Sequence, residues 1–326
     1  MFPSMLLLFL LVSGAADPAA SPAPAPRLPP LQKLWSERRF DGIEKHVREW
    51  CSSDSRQPDG TPELAAFEAA FDSQFRSTRS WEGDSNALAQ WRQQAPDSLA
   101  QAFVEAIYWR AYASQLRLGA IGHMPKEALE LYQEQLARGT ARLQQVRAQA
   151  ATCPLWHSLN IALLLEGGAT RSMVARAYLD AVQVFPHDPQ IHLAMARAYS
   201  PRWGGSAAQF DQFARRAVFF TRAVEGGGMY ARLYWKEDGS GGDAIQFGER
   251  RNLPEWQLVK SGFEDLLQRY PQDLRTRNKF ASFACRANDR DTYHKLRHDL
   301  GEHIVPELWP EAANVDACDR KLGKGG

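Results

Sequence analysis

The stretch PLWHSLNIALLLEGGATRSMVARAYLDAVQVFP, residues 154–186, decides the fold. Leu155 to Leu165 is an apolar run of helical length, and Glu166-Gly167-Gly168 breaks it. Val174, Tyr178, Ala181, Val182 and Phe185 then recur at three- and four-residue intervals on a second helix, which Pro186 stops. Pro154 and Pro186 are 32 positions apart, and a further helix carrying Ile191, Ala194, Met195, Ala198 and Tyr199 follows at once. Stacked helix pairs have a period of about 34 residues. A lone pair cannot bury both faces, so its neighbours must stack on it and the chain is expected to be all-α.

The ending of that unit recurs. Phe185-Pro186-His187-Asp188 and Tyr270-Pro271-Gln272-Asp273 each follow one amphipathic pattern and precede another, with Ala95-Pro96-Asp97 as a looser third case. The aromatic residue packs the helix end and the proline forbids continuation. These units resemble tetratricopeptide repeats: Val174, Tyr178, Ala181 and Pro186 match the small, aromatic, small and proline positions of the second helix. Val259, Phe263, Leu266 and Pro271 keep the spacing with larger residues. The resemblance implies irregular antiparallel helix pairs stacked as a right-handed solenoid.

Other helices follow from the same periodicity. Leu31, Leu34, Trp35, Ile43 and Val47 form a first helical region with a break around Phe40 to Gly42. Thr61-Pro62-Glu63 reads as a helix start, Thr61 as cap and Pro62 as first helical residue. Pro96-Asp97-Ser98 introduces a helix burying Leu99, Ala102, Phe103, Ala106, Trp109 and Ala113, and one long helix is expected over Lys126 to Ala150.

The ends of the chain read differently. Leu6 to Val12 is too short to span a bilayer but suits the core of a signal peptide, and small residues Ser13 to Ala16 follow it. Residues 1–16 are therefore expected to be a signal peptide, although no Lys or Arg precedes the apolar run. Residues 17–30, rich in Pro and Ala, read as an extended linker. Residues 31–95 read as an N-terminal helical segment and 96–322 as the tetratricopeptide-like domain. No later segment approaches the ~20 apolar residues of a spanning helix, so a periplasmic or secreted protein without stable membrane insertion is expected. With 39 Lys and Arg against 38 Asp and Glu, no long-range field gathers nucleic acid. The cysteines are Cys51, Cys153, Cys285 and Cys318. In an oxidising compartment a Cys285–Cys318 bridge would pin the tail to the last helix pair, closing about 33 residues for ~3 kcal/mol. Pairing of Cys51 with Cys153 stays open, and without a Cys-x-x-Cys spacing redox and zinc motifs are not expected.

Pro201-Arg202-Trp203-Gly204-Gly205-Ser206, Tyr230-Ala231-Arg232-Leu233-Tyr234-Trp235, Gly262 to Leu267 through Tyr270-Pro271, and Phe280 to Cys285 with Asp289, Trp309 and Cys318 form a further ordered set. That order resembles the bacterial family called domain of unknown function 4034, across roughly residues 90 to 320. The resemblance implies an exported tetratricopeptide-like helical domain with no established activity. The Gly-rich segment after Trp235 and Arg277 depart from its pattern.

Candidate chemistry is sparse. His294 and His298 share a helix face, with His303 beyond, but Lys295, Arg297 and Asp299 make that face a solvated one and no metal is expected. His187 and His192 read as turn and helix-surface residues. Gly204-Gly205-Ser206 with Arg202 could cradle an anion at a helix start, against the simpler reading of Ser206 as an N-cap. Arg202, Trp203, Tyr230, Arg232, Tyr234 and Trp235 are the best candidate ligand-binding set, since rings and guanidinium groups suit peptides, carboxylates or sugars. The competing reading makes Arg232 and the rings a buried brace. No nucleophile elbow or acid pair stands out, so no catalytic residue and no cofactor is assigned. The expected function is a noncatalytic scaffold of the bacterial cell envelope that binds a protein or peptide partner. An envelope enzyme with its site near the 201–235 loops, and a purely structural helper, are the alternatives.

Overall fold

The computed structural model describes residues 31–116, 124–239, 245, 247 and 254–323. The expected signal peptide and linker lie outside the described residues. Within them the chain is all-helical: α1 Leu31–Ser36, α2 Phe40–Cys51, α3 Glu63–Arg76, α4 Trp81–Gln94, α5 Leu99–Leu116, α6 Lys126–Gln145, α7 Arg147–Ala150 and α8 Pro154–Glu166. There follow α9 Arg171–Val184, α10 Pro189–Ala196, α11 Ala207–Glu225, α12 Gly228–Asp238, α13 Trp256–Arg269, α14 Leu274–Arg286, α15 Arg290–Leu300 and α16 Val315–Leu322. Among the described residues there is no strand, only an isolated bridge between Arg56 and Pro62. None of these helices is long and apolar enough to cross a membrane.

The apolar side chains form two buried clusters. The first runs from Leu34 to Leu163 and the second from Ile161 to Cys318. Helix α8 belongs to both. Leu155, Trp156, Leu159 and Leu163 enter the first cluster, Ile161 enters the second, and Leu164 and Leu165 pack against it. A helix that is apolar on all sides is satisfied only when buried on all sides, so α8 is the wedge on which both halves close. Each fully buried Leu, Ile or Phe contributes about 1.5–3 kcal/mol. Position 95/96, where the residue pattern suggested a boundary, lies inside the first cluster, because α2, α3 and α4 all pack on α5.

The two aromatic-proline turns have one geometry. Phe185 N–H donates to Ala181 O at 2.8 Å and Tyr270 N–H to Leu266 O at 2.8 Å, ending α9 and α13 in the same way. Asp188 then accepts from the N–H groups of Gln190 and Ile191, and Asp273 from those of Arg275 and Thr276, capping α10 and α14. In the third case the cap is Ser98, which accepts from Gln101 N–H at 3.0 Å. Asp97 occupies the turn, one residue too early to cap.

Three boundaries differ from expectation. Pro62 stands outside α3 with ψ 139°, so it is the cap residue and Glu63 the first helical one. The break between the first two helices falls at residues 37–39, where Arg38 takes φ 56°, rather than at Phe40 to Gly42. The long helix is split at Val146, which ends α6 before the short α7.

Both cysteine pairs sit at disulfide distance: Cys285–Cys318 joins α14 to α16, with Sγ–Sγ 1.96 Å, and Cys51–Cys153 joins the end of α2 to the cap of α8, with 2.12 Å. The second pairing, left open by the residue pattern, spans 102 positions and staples the first cluster.

Candidate functional site

The six residues singled out from the sequence have separate sets of partners. Tyr230 and Tyr234, buried on α12, both donate their hydroxyls to Asp211 Oδ1, the Tyr234 bond being 3.0 Å. Arg215 holds the other Asp211 oxygen at 2.7 Å, and burial together with the Asp211 charge raises both phenol pKa values. Arg232 donates its Nε–H to Glu225 Oε2 at 2.9 Å, and both side chains are largely out of water. Trp235 packs against Phe263. Arg202 is exposed at the start of a short 3₁₀ turn, Pro201–Trp203.

Trp203 leads elsewhere. The Arg197 guanidinium lies 4.6 Å from its ring centroid, in cation–π position. Arg197 also pairs with Glu166 Oε1 at 2.5 Å, Glu166 with Arg110 at 2.9 Å, and Arg110 with Glu68 at 3.0 Å. This chain of charges crosses from α3 and α5 in the first half, through the last residue of α8, to the 3₁₀ turn after α10 in the second. Burial would raise the Glu166 pKa, but Arg110 and Arg197 outweigh it and hold the carboxyl at about 2. Burial raises that of Glu68, against the pull of Arg110.

Lys236, on α12, is water-exposed yet crowded enough that desolvation lowers its pKa, with Glu68 opposing and Arg110 and Arg197 reinforcing the shift. It stands four residues after Arg232 and so shares its helix face. A charged lane therefore runs from Trp203 through Arg197, Glu166, Arg110 and Glu68 to Lys236, with the Arg232–Glu225 pair behind it. Among the described residues no carboxylate pairs with Lys236 within 4.0 Å.

Glu68, Arg110, Glu166, Arg197 and Lys236 escaped the sequence reading. A usable signal existed for two of them: Arg110 and Glu166 are charged residues on strongly apolar helices, and such residues demand a partner.

The other candidates resolve locally. Ser206 caps α11 through Gln209 N–H at 3.2 Å, and a Cβ at Gly205 would lie 2.0 Å from Tyr199 O, so backbone contact fills that loop. His294 bonds the Leu322 carbonyl at 2.7 Å, whereas His298 is exposed beside Asp299. Among the described residues no three His, Cys, Asp or Glu side chains group as metal ligands. His187 bonds the Phe220 carbonyl from the turn. His192 is a correction: it is fully buried rather than at the helix surface. Its Nε2–H donates to Pro186 O at 2.8 Å, so Nδ1 accepts from the Tyr178 hydroxyl at 3.0 Å, and burial lowers its pKa to about 4. Compared with family models, with curated proteins and with solved structures, the chain matches none.

Proposed function

We propose that the protein is a noncatalytic scaffold of the bacterial cell envelope, periplasmic or secreted, which holds a segment of a protein partner along the Trp203-to-Lys236 lane. The reading takes the helix pairs as an irregular tetratricopeptide-like solenoid, in keeping with the resemblance to the domain of unknown function 4034 family, and the lane as its inner face. The observation that carries it is Lys236: an exposed ammonium with no paired carboxylate among the described residues, at the end of a row whose other charges are matched. Charges held ready by a rigid frame give specificity and register to a bound segment. Two disulfide-distance cysteine pairs support the exported setting. Tyr230, Tyr234 and Arg232 serve as the brace behind the lane, while Trp203 and Arg202 stand at its open end. The test is a pull-down from envelope extract with the mature chain and a folded variant carrying Lys236→Glu and Arg202→Ala. A specific partner lost in the variant is the expected result; an unchanged partner set removes the lane from the function.

A further inference from the structure

We infer that the loop of residues 52–62 is a releasable clasp, which closes the gap between α3 and α12 against the Tyr270-Pro271 turn and opens to admit a segment to the lane. That the lane is what the clasp guards rests on the reading proposed above. The loop leaves the first half of the molecule and reaches the second. Gly60, the one buried residue among positions 52–60, lies under the Tyr270 ring, and a Cβ there would stand 2.3 Å from two ring carbons. Its φ of 79° is one that glycine adopts without strain, and the missing side chain lets the ring approach this closely.

The clasp is firm within itself and lightly held across. Gln57 N–H donates to Thr61 O at 2.8 Å, Gly60 N–H to Gln57 O at 2.8 Å and Glu63 N–H to Ser55 O at 2.9 Å. Arg56 braces the loop from inside, on Asp54 at 2.9 Å and on the Gly60 carbonyl at 3.2 Å, and the Cys51–Cys153 pair fixes its base. Among the described residues no hydrogen bond or ion pair runs from the loop to the second half. What crosses is the Tyr270 ring, together with the longer-range attraction of Arg56 for Glu225 at the end of α11 and for Asp188 in the turn after α9. A preformed loop gives up one ring contact on release and needs no refolding to close again, as a gate requires.

The gap it closes leads to the charged row. Helix α3 starts at Glu63, directly after the loop, and α12 starts at Gly228, packed on Leu266 near the end of the helix that Tyr270 terminates. Both helices therefore run away from the clasp. Further along them Glu68 and Lys236 act on one another from α3 and α12 without forming an ion pair within 4.0 Å. The two halves thus meet around α8 and again at the clasp, with the lane between. Freeing the clasp leaves the halves joined around α8, and the gap between α3 and α12 widens.

The inference is tested by electron–electron double resonance on the full chain, with spin labels on non-canonical residues replacing the exposed Ser73 of α3 and Gln268 of α13, so that the cysteine pairs stay intact. Tyr270→Ala removes the ring, and Gly60→Asn keeps a residue that tolerates positive φ while pushing the ring away. Each variant is expected to raise the ratio of longer to shorter distances at least about tenfold over wild type. Distance distributions that superimpose on wild type in both variants would overturn the clasp. In the pull-down, Tyr270→Ala should load the partner at least about threefold faster than wild type, as a widened entrance requires. Equal loading by a variant whose clasp is open would overturn its link to the lane. A wild type that captures nothing counts against the lane alone, because the distances decide the clasp without any partner.

Discussion

Arg110 donates its Nε–H to both carboxylate oxygens of Glu166 at 3.0 Å, and through this pair α5 is tied to the end of the helix that both cores share. Arg197 bonds the same carboxylate from the other side, so one side chain serves both halves of the molecule. Glu166→Gln keeps the shape and removes the charge between two half-buried guanidinium groups. It should destabilise the fold by about 3–5 kcal/mol, the range for breaking a buried pair, as read by urea unfolding. Because the folded pKa lies below the ordinary value of 4.5, the contribution of Glu166 is complete above pH 4.5. It should fade as pH falls toward 2 and be absent from the variant.

Asp188 and His192 give a second pH signature. They sit at the start of α10 with opposed shifts: burial raises Asp188 to about 6 and lowers His192 to about 4. On acidification from pH 6.5 to 4 the unfolded chain protonates His192 before the folded one does, which costs stability. Between pH 6 and 3.8 the folded chain protonates Asp188 first, which adds stability. The two slopes nearly cancel in the wild type. Thermal melts should show His192→Gln gaining stability as pH falls through this window, and Asp188→Asn, which still caps the helix, losing it. Parallel profiles for all three proteins would refute the opposition.

The two disulfide-distance pairs should differ in weight. Replacing Cys51 and Cys153 with Ala opens a closure of 102 positions, and replacing Cys285 and Cys318 one of 33. Chain entropy assigns about 5 kcal/mol to the first and between about 3 and 4 to the second. Denaturant midpoints of the two double variants should follow that order.

Arg232→Ala should lower stability by about 1–3 kcal/mol in the same assay, because it leaves the buried Glu225 carboxylate with neither oxygen bonded. An unchanged melting temperature would free Arg232 from the brace.

What the sequence showed was local. Phe185-Pro186 and Tyr270-Pro271 announce their turns because a proline and an Asp cap act within a few residues, and the structure repeats that geometry twice. The Cys285–Cys318 pairing was also visible, since both residues lie near the chain end. Cys51–Cys153 was not, because nothing in either neighbourhood reports on a residue 102 positions away. The same holds for Glu68, Arg110, Glu166 and Arg197, which come from four different elements and become one row only when α8 wedges the halves together. His192 was misread because a polar residue in a short helix looks exposed until Tyr178 and the Pro186 carbonyl supply its bonds.

Replacing Lys236 with a photo-crosslinking amino acid in the full chain tests the lane most directly, with Phe219, an exposed residue outside it, replaced likewise as control. Irradiation in the cell envelope should give at position 236 a discrete adduct that maps to one segment of one partner and is missing from position 219. The same adducts at both positions, or none at 236, would contradict the assignment of the lane as a binding surface.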